Sequence, residues 1–387
     1  MNIPKDMIEN RAFDMRAMAF NHQLSTIPGP SLPWFRGPIP AGAVTQTDGS
    51  VLVSMYAPEA EKVEAGTWDT MIELEKNEIG LWTGTLNLGR YGFHNIYFKV
   101  DGNDVLNRMA PMCYSGGQAN NYVEIPDPEQ DYLLIKDVPH GAITREFYTS
   151  SVTGQVESCL VYTPPFYQEE PEKDYPVLYL QHGGGDNETA WIYQGKTNFT
   201  KDNLIAEGKA VPFIIVMNSG GTLVWDEKGN EWTCDYHLLP DVVVTDCIPF
   251  IEKKYRVKPG IENRGFAGLS MGSLQGGWTM MRFPGVFSAF GLFTGFKDPQ
   301  NGWDKEKQPW LATLDDGEAF NNSVKLLHIS FGEEENRTGI LKDLTDYLDE
   351  RGIKYVARTY PGAHEWENWR AAAADFYQMV FKWNEEK

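Results

Sequence analysis

The sequence predicts an α/β protein with a mostly parallel sheet covered on both faces, preceded by a small β-sandwich, and three observations carry this expectation. After Pro139-His140-Gly141, strand-like runs alternate with longer helical patterns over roughly 245 residues, as in sheets built from crossover connections. Residues 44–126 instead hold short β-rich runs separated by turn signals, the pattern of an antiparallel sandwich. Between them, Pro126-Asp127-Pro128 interrupts both patterns. The expected organisation is an extended lead-in over 1–43, a β-sandwich module over 44–127 and the larger domain over 128–387.

In chain order, the lead-in closes with Ile27 to Pro40, where Pro28, Pro30, Pro33, Pro38 and Pro40 favour extended backbone. The module offers strands at Val51–Tyr56, Lys62–Ala65, Trp82–Leu86 and His94–Val100, with turns at Thr47-Asp48-Gly49 and Val100-Asp101-Gly102. The larger domain opens with two strand-like runs, Ile143–Thr149 and Glu157–Tyr162. Six more follow at Val177–Gln181, Phe213–Met217, Gly265–Leu269, Ala289–Thr294, Leu326–Phe331 and Tyr355–Tyr360. Helices are predicted at Lys201–Glu207, Val242–Lys254, Ser273–Arg282, Ile340–Arg351 and Trp366–Trp383. In Ile340–Arg351, apolar side chains at Ile340, Leu341, Leu344, Tyr347 and Leu348 recur at helical spacing, and Gly352 supplies the stop.

Composition removes whole classes of function. The chain has 387 residues with 34 basic and 54 acidic side chains, a formal net charge of −20, so it lacks the basic surface that nucleic acid or an anionic membrane requires. No run approaches the roughly 18 apolar residues of a membrane helix. Lys5, Asp6, Glu9, Arg11, Asp14 and Arg16 interrupt the apolar core that a secretory signal would need, and the expected location is cytoplasmic. Cys113, Cys159, Cys234 and Cys247 stand far apart with no Cys-x-x-Cys pair, which reads as reduced, buried thiols. No acidic, histidine or cysteine cluster has metal-ligand spacing and no phosphate loop appears, so no metal and no cofactor is expected.

The chemistry centres on Gly268-Leu269-Ser270-Met271-Gly272, a Gly-x-Ser-x-Gly pattern with a short apolar strand before it and a small-residue helix after it. A nucleophile on so sharp a turn needs small neighbours, which Gly268, Gly272, Gly276 and Gly277 supply. The turn aims the amide of Met271 at the oxygen where negative charge develops. A serine hydroxyl needs a base, and only His328 and His364 follow Ser270 in the chain. His328 lies inside a strand and reads as a core residue. His364 follows a strand through Pro361-Gly362-Ala363 and precedes a helix, the loop position a general base requires. The third member must be a carboxylate after another strand, in the chain order of the α/β-hydrolases. The strand Leu326–Phe331 runs through Gly332 into Glu333-Glu334-Glu335, and spacing alone does not separate the three. Upstream, Val177–Gln181 ends in His182-Gly183-Gly184-Gly185-Asp186, whose glycines let backbone amides approach a substrate oxygen. Gly184 is expected to complete the oxyanion hole with Met271, Gly185 to border the substrate, and His182 to be structural.

These motifs resemble those of carbohydrate esterase family one, the esterase D-like group that contains feruloyl and acetyl xylan esterases. The matching pieces run from about Asp137 to the C-terminus: Pro139-His-Gly141, Val161-Tyr-Thr-Pro-Pro165, Tyr179-Leu-Gln-His-Gly-Gly-Gly185 with Trp191, Asp202-Asn-Leu-Ile-Ala-Glu-Gly208, Gly268-Leu-Ser-Met-Gly272, Gly332-Glu-Glu-Glu335 and His364-Glu-Trp-Glu-Asn-Trp-Arg370. The resemblance implies an α/β-hydrolase fold with Ser270, His364 and Glu335 as a triad, although the family more often has Asp at the third position. Residues 44–126 resemble the immunoglobulin-like modules of glycogen-branching enzymes and many feruloyl esterases, through Asp48-Gly49-Ser50-Val51, Ala57-Pro58-Glu59-Ala60-Glu61-Lys62-Val63, Gly80-Leu81-Trp82 and Tyr97-Phe98-Lys99-Val100-Asp101-Gly102. Such modules can bind glucans through exposed aromatics, for which Trp68, Trp82 and Tyr91 are available, although packing is the stronger expectation for them. The expected activity is release of ferulate or a related hydroxycinnamate from plant carbohydrate esters. The alternatives are an acetyl xylan esterase, a catecholate siderophore esterase of the enterochelin type, and a non-catalytic carbohydrate-binding protein. The expected partner is a small phenolic or carbohydrate ester, with the oligomeric state open, a homodimer included. Trp366 and Trp369 share one helical face beside His364 and are candidates to touch the substrate, with anchoring of the last helix the stronger expectation.

Overall fold

The computed structural model describes residues 1–13, 41–335 and 338–384. The proline-rich stretch Ile27 to Pro40 lies outside the described residues. The chain divides into two compact units, Met1–Lys136 and Asp137–Lys387.

The first unit is an antiparallel sandwich. One sheet holds β1 (Ala43–Thr45), β2 (Val51–Tyr56), β5 (Glu75–Lys76) and β6 (Leu81–Leu86) in the order β1-β2-β6-β5. The other orders β4 (Met71–Glu73), β3 (Val63–Gly66), β7 (Gly92–Val100), β10 (Gln118–Ile125) and β9 (Met112–Ser115) as β4-β3-β7-β10-β9, with β8 (Asn103–Val105) paired to β7. Alternation sets the inner faces: Val51 and Val53 of β2, Val63 and Ala65 of β3, and Ile96 and Phe98 of β7 are buried in one core. Residues 1–13 differ from the extended lead-in expected of them. Lys5–Ile8 makes one helical turn and Arg11–Phe13 a 3-10 turn, because Ile3, Met7 and Phe13 find apolar cover in that core. Leu133 joins it too, from a 3-10 turn at Asp131–Leu133. Trp82 is buried, its Nε1–H donating to Ala57 O at 2.9 Å, whereas Trp68 is 86% exposed beside a groove of about 530 Å³.

The second unit has an α/β-hydrolase fold. Its eight-stranded sheet comprises β11 (Ala142–Thr149), β12 (Val156–Thr163), β13 (Val177–Gln181), β14 (Ile214–Asn218), β17 (Arg264–Leu269), β18 (Ala289–Phe293), β19 (Leu326–Gly332) and β20 (Val356–Tyr360), ordered β11-β12-β14-β13-β17-β18-β19-β20. The β11, β12 and β14 pairings are antiparallel, and from β14 to β20 every pair is parallel. Strands β13, β14 and β18 are buried at every position, since helices cover both sheet faces. The central β17 leads directly into helix α2 (Met271–Arg282), after α1 (Thr197–Ala206) earlier in the chain and before α3 (Thr338–Asp349) and α4 (Trp366–Met379).

Two expectations are refined and one element is added. The helix predicted at Val242–Lys254 is Leu239–Val242, a π turn at Val243–Cys247, then Ile248–Lys254. Pro249 has no N–H to give and its ring would crowd the carbonyl four residues back, and the wider π turn absorbs both. The last helix stops at Met379 rather than Trp383, and Phe381 takes a left-handed φ of 65°. A hairpin that the sequence pattern did not indicate, β15 (Leu223–Asp226) with β16 (Glu231–Cys234), projects between β14 and β17. Among the described residues no helix is long and apolar enough to cross a membrane.

Candidate active site

Ser270 stands between β17 and α2 with φ 51° and ψ −114°, a region that a residue with a Cβ seldom enters. Two constraints hold it there. Its N–H donates to Phe293 O at 3.0 Å, and the chain on either side is pressed too closely for side chains. A Cβ on Gly268 would lie 2.5 Å from the Gly272 backbone, and one on Gly272 would lie 2.6 Å from His182 O. The two glycines of the motif are therefore required by close approach, and the strained serine follows from their packing.

His364 lies on the loop between β20 and α4, and Glu335 on the turn after β19. The structure brings them together with the serine: His364 Nε2 is 2.9 Å from Ser270 Oγ, and His364 Nδ1 is 2.7 Å from Glu335 Oε1. The carboxylate fixes the tautomer by accepting Nδ1–H, which leaves Nε2 free to accept the serine proton. Glu335 is buried, while Glu333 and Glu334 are exposed. Backbone bonds explain which glutamate turns inward. The N–H of Glu333 donates to Tyr360 O at 2.8 Å and that of Glu334 to Gly362 O at 3.0 Å, extending the β19–β20 pairing past the strand ends. The chain then turns back, with Glu335 N–H donating to Gly332 O at 3.1 Å and Glu335 Oε2 accepting from Gly332 N–H at 3.1 Å. Gly332 cannot carry a side chain, because its Cβ would stand 2.4 Å from the carbonyls of Gly362 and Ala363. Acid loop and base loop are thus locked to each other by backbone.

The glycine run after β13 borders the serine. A Cβ on Gly183 would lie 2.6 Å from Leu269 Cδ1 and 3.4 Å from Ser270 Cβ. Gly184 next to it is exposed, with nothing within 4 Å of where its Cβ would be, and Gly185 is exposed with φ 78°. Met271 opens α2, where amides have no intrahelical carbonyl to bond. His182 is buried and structural: Nδ1–H donates to Gly183 O at 2.7 Å and Nε2 accepts from Gly220 N–H at 2.7 Å. Burial holds its pKa below the ordinary histidine value, so the ring stays neutral in this one tautomer.

Trp366 and Trp369 do share a face, with ring centroids 5.5 Å apart edge to face. They are only 5% and 7% exposed, and this burial makes them the floor of the site instead of an open wall. Trp369 sets its ring 5.0 Å from the His364 ring and bonds Thr294 Oγ1 through Nε1 at 3.3 Å. Trp366 packs 5.3 Å from Trp191, whose Nε1–H donates to Gln181 O at 2.7 Å. The row Trp191–Trp366–Trp369 thus supports the histidine from β13 outward.

Two other arrangements were not legible in the sequence. Asp202 of α1 ties Pro139-His140-Gly141 to the sheet: its carboxylate meets His140 Nδ1 at 2.9 Å, Gly141 N at 3.0 Å and Tyr162 OH at 2.7 Å. Burial pushes this carboxyl above the ordinary aspartate value despite those partners. Gln275, on α2, donates through Nε2 to both Gly220 O and Tyr236 O at 2.9 Å, clasping the two feet of the β15–β16 excursion. His328 is a core residue 3.3 Å from Tyr360 OH and from Asp375 Oδ2. Among the described residues no three His, Cys, Asp or Glu side chains gather as a metal site.

Residues 150–378 match the family model described as putative esterase. The chain is 33% identical over 359 residues to an endo-1,4-beta-xylanase/feruloyl esterase of Xylanibacter ruminicola, covering 88% of this chain and 46% of that protein. It therefore spans about half the length of that relative. Among solved structures, the CE1 ferulic acid esterase of Anaeromyces mucronatus in complex with ferulic acid is similar at a TM-score of 0.55 and 20% identity, over 66% of this chain and 96% of that one. The enterobactin esterase of Shigella flexneri is similar at a TM-score of 0.60 and 13% identity, over 87% and 94%.

Proposed function

The chain belongs to the putative esterase family, and from that premise we propose that it is a serine carboxylic ester hydrolase that releases ferulate or a related hydroxycinnamate from plant carbohydrate esters. The observation that carries the reading is the unbroken relay from Ser270 Oγ through His364 to the buried Glu335, at 2.9 and 2.7 Å. In it, His364 Nε2 takes the hydroxyl proton as Ser270 Oγ attacks the ester carbonyl. The amides of Met271 and Gly184 receive the developing oxyanion. His364 then protonates the leaving alcohol, and the acyl-enzyme is hydrolysed by water activated at the same Nε2. Glu335 stabilises the imidazolium without itself taking the proton.

Support for the acyl group comes from two similar proteins, a xylanase/feruloyl esterase and a ferulic acid esterase in complex with ferulic acid. The strongly acidic chain disfavours an anionic iron-catecholate substrate. A panel of methyl ferulate, methyl p-coumarate, acetylated xylan and a catecholate ester tests this. The expected order places the methyl hydroxycinnamates above the acetyl ester in kcat/KM. Equal or better turnover of acetylated xylan would move the assignment to an acetyl xylan esterase with the same triad.

A further inference from the structure

Hairpin β15–β16 carries an apolar face that nothing in its own unit's core explains. Leu223 pairs with Cys234 and Trp225 with Trp232 in register, so alternation puts all four side chains on one face. All four are exposed, the tryptophans at 46% and 51%, with their rings 5.4 Å apart edge to face. On the opposite face Val224, Asp226 and Thr233 are half-buried. Two indoles held open to water on a two-stranded ribbon mark a contact surface more than a packing remnant.

The hairpin is fixed to the nucleophile's own surroundings. Gln275, five residues beyond Ser270, bonds both of its feet. Asp235 N–H donates to Thr222 O at 2.8 Å, and Thr222 Oγ1–H to Asp235 O, closing the base of the ribbon. At Gly220 a Cβ would lie 3.1 Å from Met271 Cε, so the foot touches the residue that follows the nucleophile.

We propose that Trp225 and Trp232 form the platform for the sugar on the alcohol side of the ester, a reading that rests on the esterase function above. Chemistry favours the sugar over the phenolic ring. A sugar ring presents C–H faces that lie against indole while its hydroxyls stay in water, which suits a half-exposed pair. A cinnamoyl ring gains most from an enclosed apolar pocket. The tip holds Asp226, Glu227 and Glu231 against the single Lys228, a balance that repels phosphate or anionic lipid and accepts neutral hydroxyls.

The test compares wild type with the double variant Trp225→Ala/Trp232→Ala on methyl ferulate and on a feruloylated arabinoxylo-trisaccharide. Roughly tenfold loss of kcat/KM on the trisaccharide ester, carried by KM, is expected, with methyl ferulate within twofold of wild type. Trp225→Phe/Trp232→Phe should recover most of the loss. Equal losses on both esters would assign the pair to the acyl group or to folding and overturn the proposal, as would no loss on either. Should wild type cleave neither feruloyl ester while Ser270 still reacts with a fluorophosphonate, the hydroxycinnamate reading fails separately. Calorimetry with the unesterified arabinoxylo-trisaccharide then decides the platform: binding lost in the double variant supports it, and binding unchanged by the variant or absent in wild type overturns it.

Discussion

Two tryptophan pairs in the catalytic unit have nearly the same internal geometry and opposite surroundings. Trp366 and Trp369 meet edge to face at 5.5 Å and are 5% and 7% exposed. Trp225 and Trp232 meet edge to face at 5.4 Å and are 46% and 51% exposed. The first pair lies under His364 on a long helix packed against the sheet, and the second rides a two-stranded ribbon clasped at its feet by Gln275. Ring geometry alone therefore does not say what an aromatic pair does. What lies against its free faces does: protein makes it scaffold, and water leaves it available to a ligand.

Both pairs have meaning only around a working nucleophile, so the largest expected effect is at the centre. Ser270→Ala or His364→Ala should lower kcat about 10⁴-fold or more, read on methyl ferulate. Retention of a tenth of the activity would remove the reference point of the comparison. Next comes the acid. Glu335→Gln should cost roughly 10³- to 10⁴-fold in kcat, while Glu333→Gln and Glu334→Gln stay near wild type, because only Glu335 reaches His364. A severe loss at either neighbour would show that a different glutamate serves the histidine in solution.

The pairs themselves separate by stability. Trp369→Ala empties a buried site against His364 and should destabilise the protein by about 3–5 kcal/mol in chemical denaturation, lowering kcat alike for every ester. Trp225→Ala should shift stability by no more than about 0.5 kcal/mol, since its ring is already half in water. Similar destabilisation by both substitutions would erase the distinction drawn from burial.

The sequence made the main architecture legible where period and punctuation agreed. Val51–Tyr56 and Val177–Gln181 occur at the residues expected, and the strand-turn-helix around Ser270 was readable because the glycines a tight turn needs are themselves the motif. The acid was not separable by spacing, since Glu333, Glu334 and Glu335 are the same residue type. Their difference lies in backbone bonds to Tyr360 and Gly362, which depend on a strand more than twenty residues away. Helical spacing put Trp366 and Trp369 on one face but could not say whether that face looked at substrate or at Trp191. The hairpin escaped notice because Leu223-Val224-Trp225 is apolar on both sides of the alternation, so no inward face was marked.

The most direct test of the Ser270–His364–Glu335 relay is peptide mass spectrometry of the protein after reaction with a fluorophosphonate. A single adduct on the peptide bearing Ser270 is expected, with its rate of formation reduced by orders of magnitude in His364→Ala. An adduct on another serine, or no adduct from a protein that still hydrolyses methyl ferulate, would contradict it.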